Sequence, residues 1–84
     1  MMVDCISLLR LRVLAEADPG ALLRVLERFQ NMGVVPRRVI VESTTTDSLS
    51  ILVDVTGLDE SRMSLIAAKL GQIPNVLRAH WHYA

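Results

Sequence analysis

The four residues Ala17-Asp18-Pro19-Gly20 constrain this chain most, because one periodicity stops there and another begins. Upstream, Ile6 to Ala15 alternates as a strand. Leu9, Leu11, Val13 and Ala15 share one face, and Ile6, Leu8, Arg10, Arg12 and Leu14 the other. Both faces are largely apolar, which suits a central strand whose second face is also partly covered. Downstream, Leu22, Val25, Leu26, Phe29 and Met32 recur at helical spacing, with Arg24, Glu27, Arg28 and Gln30 facing away. Asp18 is the predicted N-cap, its carboxylate accepting a first-turn amide, and Pro19 falls at the first helical position, where its missing N–H costs nothing. The spacing predicts a helix over Pro19 to Met32, ended by a left-handed Gly33.

A second strand follows from Arg37 to Thr44, with Val39 and Val41 inward and Arg38, Ile40 and Glu42 outward. The polar run from Thr44 to Ser48 is a hairpin turn. The third strand, Leu49 to Thr56, sets Leu49, Ile51, Val53 and Val55 against Ser50, Leu52, Asp54 and Thr56. Gly57 breaks it, and Asp59 or Ser61 caps a second helix that ends near Gly71 and carries the stripe Met63, Ile66, Ala67 and Leu70. Pro74 stops any continuation. The last strand, Val76 to Tyr83, puts Leu77, Ala79, Trp81 and Tyr83 on one face and Val76, Arg78, His80 and His82 on the other. The order β-α-β-β-α-β predicts an α+β, ferredoxin-like single domain over residues 1–84. Its four-stranded antiparallel sheet has order 4-1-3-2, with both helices on one face.

The sheet's other face then holds Ile6, Leu8, Leu14, Ile40, Leu52 and Val76 among charged residues, an apolar patch that argues for an interface. The second strand leaves an edge that a partner can extend. Self-association is expected, by edge pairing, face packing or both. Nine basic and nine acidic residues give zero net charge, so nothing favours nucleic acid or an anionic membrane. The start Met1-Met2-Val3-Asp4 has no basic leader pattern, and no unbroken apolar segment follows. Cys5 is the lone cysteine, which excludes an internal disulfide and makes the cytoplasm the expected setting.

Candidate chemistry is sparse. No nucleophile has an adjacent base, and there is no glycine-rich phosphate loop, so neither an enzyme nor a cofactor is expected. The turn Asp18-Pro19-Gly20 reads either as a well-made cap or as a ligand-facing loop. His80 and His82, two apart on a strand, share a face and with Asp54 offer metal ligands; a polar edge strand explains them equally. Arg10, Arg12 and Arg78 form a basic stripe or pair with Glu42 and Asp54. Base stacking is disfavoured, since Phe29 sits on a helix and Trp81 and Tyr83 on the helix-covered face.

The run from strand through Asp18-Pro19-Gly20-Ala21-Leu22-Leu23-Arg24-Val25, with Phe29 and Gly33, resembles an ACT domain, a small regulatory module attached to many enzymes of amino-acid metabolism. Within that family the chain is most similar to the small regulatory subunit of acetolactate synthase, through Pro19 to Val25, the hairpin ending in Leu49-Ser50, and Leu70 to Arg78. The resemblance implies a non-catalytic homodimer, paired side by side through the second strand and first helix. It also implies an amino-acid effector at the seam and a large catalytic subunit of acetolactate synthase as partner. Carried over by position, Ala17, Asp18, Gly20 and Ala21 of one subunit form the loop half of the pocket. The amides of Gly20 and Ala21 face a ligand carboxylate, and Val34, Val35 and Pro36 of the other subunit supply the rest. The family's usual Asn or Asp, three residues before the turn glycine, is Ala17 here, and the charge of Asp18 opposes an anionic group at the helix start. A free-standing amino-acid sensor and a small metal-binding protein are the alternatives.

Overall fold

The computed structural model describes residues 7–84, so Cys5 and Ile6 lie outside the described residues. Six elements follow in order: β1 (Leu9–Glu16), α1 (Ala21–Asn31), β2 (Arg38–Thr45), β3 (Ser48–Val55), α2 (Glu60–Gly71) and β4 (Val76–Tyr83). The strands form one antiparallel sheet of order β2-β3-β1-β4, the expected 4-1-3-2 read from its other edge. This is the ferredoxin-like βαββαβ fold. No helix of the described residues is long and apolar enough to cross a membrane.

Alternation and helical spacing together build the core. Leu9, Leu11, Val13 and Ala15 of β1 and Ile51, Val53 and Val55 of β3 present one apolar face. Onto it pack Val25 and Phe29 of α1 and Met63, Ile66 and Leu70 of α2, all buried. Asp59 caps α2, its carboxylate accepting the Arg62 amide at 2.8 Å. At the end of α1, Gly33 takes φ +71°. The amides of Gly33 and Val34 donate to the carbonyls of Gln30 and Phe29 at 2.9 and 3.0 Å, which satisfies two carbonyls of the last turn.

Three expectations are corrected. First, α1 begins at Ala21, not Pro19. The Asp18 carboxylate accepts the Gly20 amide only two residues on, so residues 18–21 form a turn ahead of the helix, and Gly20 is the N-cap with no side-chain bond. Second, a register shift between Leu14 and Ala15 re-phases β4. Val76 turns to the core and Leu77 turns outward, 55% exposed, the reverse of simple alternation. Third, Val39 and Val41 stand opposite the buried Val53 and Ile51, on the helix side, yet both are exposed. α2 lies over β4, where Ser64 accepts the Trp81 indole N–H at 2.8 Å, while α1 leaves β2 only partly covered, with a groove open between Leu26, Gln30 and Val39.

Cross-strand registers arrange the open face in three rows. They read Arg38–Asp54–Arg10–His82, Ile40–Leu52–Arg12–His80 and Glu42–Ser50–Leu14–Arg78. Leu8, Leu14, Ile40 and Leu52 are half-buried here rather than openly exposed, and Val76 is absent from this face. Asp54 is only 2% exposed, and Arg10 satisfies it through a fork: Nε donates to Oδ1 at 2.8 Å and Nη2 to Oδ2 at 3.0 Å. That pair of bonds holds the Asp54 carboxyl below the ordinary carboxylate range against the opposing effect of burial, with the charges of Arg10, Arg38 and Arg12 adding to it.

Phe29→Ala is expected to cost about 3–5 kcal/mol in urea unfolding, and Leu77→Ala less than about 0.5 kcal/mol, as suits a residue turned out by the bulge. The Asp54 carboxyl is depressed in the folded state, so the unfolded chain takes up its proton first as pH falls. Stability from the Arg10–Asp54 pair is therefore present above about pH 4 and lost below it. Asp54→Asn should be less stable at pH 7 and show a shallower acid slope from about pH 5 to pH 3, read by urea midpoints across that range.

Candidate functional site

The loop between β1 and α1 is fastened at several points. The amide of Glu16 donates to the Asn75 carbonyl at 2.8 Å and that of Ala17 to the Asp47 carbonyl at 2.9 Å. Asp18 binds three groups at once. Its Oδ1 accepts the Gly20 amide at 3.2 Å, and its Oδ2 accepts Arg24 Nη1 and Asn75 Nδ2, each at 2.8 Å. The Gly20 amide, then the Asn75 amide and the Arg24 guanidinium, hold the Asp18 carboxyl below its usual range. Asp18 is thus both cap-like and engaged. The Gly20 amide belongs to its carboxylate, and the Ala21 amide to its backbone carbonyl at 2.9 Å.

Gly20 has φ −84°, so its backbone does not demand glycine, and an added Cβ would meet only the Arg24 guanidinium at 3.6 Å. What glycine supplies here is an uncovered stretch of backbone beside the first turn. Arg24 and Asn75 were not foreseeable as loop residues. Asn75 lies 57 positions from Asp18, and no spacing rule joins them.

The other candidate residues lie at the far end of α1. Val34, Val35 and Pro36 line an apolar groove of about 540 Å³ with Leu26, Gln30 and Val39. Val35 is 83% exposed, and the groove runs onto the partly exposed Val39 of β2. An eleven-residue helix is roughly 16 Å long at 1.5 Å per residue, so Ala17, Asp18, Gly20 and Ala21 stand well apart from Val34, Val35 and Pro36. One chain does not bring the two halves together.

The histidines of β4 occupy the open face. Their rings stack with centroids 6.1 Å apart. His82 accepts Arg12 Nε at Nε2, 3.0 Å away, and its Nδ1 lies 2.9 Å from the Tyr83 carbonyl. Both of its ring nitrogens are therefore engaged, and both oxygens of Asp54 belong to Arg10. Among the described residues no group of three or more His, Cys, Asp or Glu side chains converges as a metal site would require. Of the three arginines in the expected stripe, Arg10 pairs with Asp54, while Arg12 and Arg78 have no carboxylate within ion-pair distance among the described residues.

Comparison with known proteins agrees with this architecture. The chain superposes on the C-terminal domain of the MgtC protein from Mycobacterium tuberculosis with a TM-score of 0.78 at 17% identity, covering 100% of this chain and 94% of that one. It superposes on the ACT domain from GTP pyrophosphokinase of Chlorobium tepidum with a TM-score of 0.75 at 10% identity, covering 92% and 99%. On the regulatory subunit of aspartate kinase from Thermus thermophilus the TM-score is 0.70 at 11% identity, covering 95% of this chain and 53% of that one. These likenesses concern the fold. No curated protein sequence matches the chain. Residues 4–84 match the family model described as ACT-like domain, and the chain belongs to that family.

Proposed function

We propose that the chain is a non-catalytic regulatory module that works as a side-by-side homodimer through β2 and α1, with an amino-acid effector held at the seam. The observation that carries this reading is the bare β2 edge. Val39 and Val41 lie in line with fully buried core residues of β3 yet stay more than a third exposed, and the groove at Val34 to Pro36 opens beside Val39. A two-fold axis normal to the sheet at that edge pairs β2 with its copy and reverses the direction of α1 in the partner. The loop end of one helix then meets the groove end of the other, which completes a pocket that a single chain divides. In this reading the partner enzyme is the large catalytic subunit of an acetolactate synthase, as the Leu70 to Arg78 stretch suggests, and the setting is cytoplasmic. Regulation is then a population shift: the effector stabilises one arrangement of the seam, and the docked enzyme responds to that arrangement.

Val41→Glu places a charge at the centre of the proposed seam and is expected to convert a dimer to a monomer in analytical ultracentrifugation. A wild-type chain that sediments as a monomer would sink the pairing. Gly20→Val fits its backbone and should abolish calorimetric binding of branched-chain amino acids while the dimer persists; unchanged affinity would remove the loop from the site. Ala17→Asn supplies the side chain that the family uses for the ligand's amino group and should tighten binding several-fold. Copurification with a thiamine-dependent large subunit tests the enzyme partner.

A further inference from the structure

The β1 and β4 half of the open face carries Arg10, Arg12, Arg78, His80 and His82. The face's acids, Asp54 and Glu42, stand on β3 and β2. Asp54 is taken by Arg10, and Glu42 lies at the far end of a row, separated from Arg78 by Ser50 and Leu14. Between these rows a cleft of about 160 Å³ opens, lined chiefly by Arg12, Leu14, Thr44, Ser50, Arg78 and His80. No carboxylate side chain lines it.

We propose that this cleft is a binding site for a tetrahedral oxyanion of the phosphoryl class. Size argues first: the volume is well below the roughly 300–1,000 Å³ of drug-sized ligand sites and suits a single small group. Donor count argues second. Two guanidinium groups, two hydroxyls and an imidazole offer more donors than the two oxygens of a carboxylate can use, and they match the several acceptor oxygens of a phosphoryl group. Availability argues third. Arg12 spends its Nε on His82 Nε2, in the neighbouring row, and both Nη groups have no protein partner among the described residues. For His82 to accept there, its proton must sit on Nδ1, where it donates to the Tyr83 carbonyl. Thr44 Oγ1 makes only a long 3.5 Å bond to the Ser48 carbonyl, so its hydroxyl can turn to the ligand. The cleft lies on the sheet face away from the helices and takes one of its lining residues, Thr44, from β2.

The test is an amide-resolved NMR titration of the whole chain at pH 7 and constant ionic strength, with inorganic phosphate, phenyl phosphate, acetate and chloride as probes. Saturable shifts are expected at Arg12, Thr44, Ser50, Arg78 and His80 with either phosphate probe. Acetate and chloride should produce less than a tenth of that response at equal concentration. A phenyl phosphate affinity above that of inorganic phosphate assigns the site to a phosphate ester, and equal affinities assign it to the free ion; either supports the proposal. Arg12→Gln and Arg78→Gln should each weaken phosphate binding at least tenfold. Both side chains are exposed, so neither change removes a core contact. Arg38→Gln, on the same face but outside the cleft, should leave binding unchanged. Phosphate shifts no larger than those of chloride would overturn the proposal, as would wild-type affinity in both cleft variants.

Discussion

Two short helices cannot roof a four-stranded sheet, and most of what is distinctive in this molecule follows from that shortfall. The buried stripes of α1 and α2 meet the apolar faces of β1 and β3, and α2 extends over β4. Coverage thins toward β2. Val39 and Val41 therefore keep the residue type of a core strand while more than a third of each stays exposed. In contact with water that combination is costly unless something else is laid over it, because exposed apolar edges template pairing. The edge that the fold fails to cover is also the one beside the groove at Val34 to Pro36.

The uncovered face solves the same shortage differently. It has no second layer, so long polar side chains lie across its apolar members. Arginine stems shield carbon while their heads stay wet, which accounts for Leu14, Ile40 and Leu52 being half-buried in the midst of Arg10, Arg12, Arg38 and Arg78. One carboxylate, Asp54, sits deep among them and is tolerated because a bidentate arginine satisfies it. A single acid against four arginines, with Glu42 alone at the rim, leaves the β1 and β4 half with unspent positive charge. Sheet arithmetic created that imbalance before any ligand is considered.

Most of the architecture was readable in the residues. Alternation and helical spacing gave all six elements, their order and the core stripes, and the Asp59 cap and Gly33 stop fell where expected. What escaped depends on distances that a linear pattern does not encode. The bulge at Leu14 and Ala15 exchanged the roles of Val76 and Leu77, since one unpaired residue reverses the phase of a period-two pattern. Inward alternation at Val39 and Val41 was right about the face and wrong about burial, because burial depends on where a helix lies. Asp18 is legible as a helix-start residue, but its bond to Asn75 joins segments that only the fold makes neighbours. Of the candidate site, the residues at each end of α1 could be named from sequence, while their separation required the helix to be built.

The threefold grip of Asp18 has a mechanical meaning. One carboxylate ties the turn before α1, the first full turn of that helix and the connection entering β4, while the neighbouring Ala17 amide is tied to the β2–β3 hairpin. Three stretches far apart in the chain, the β1–α1 turn with the start of α1, the β2–β3 hairpin and the entry to β4, are thus joined at one corner of the molecule. These bonds couple the loop to the connections of both edge strands, so a shift of the loop must either break them or carry those connections along.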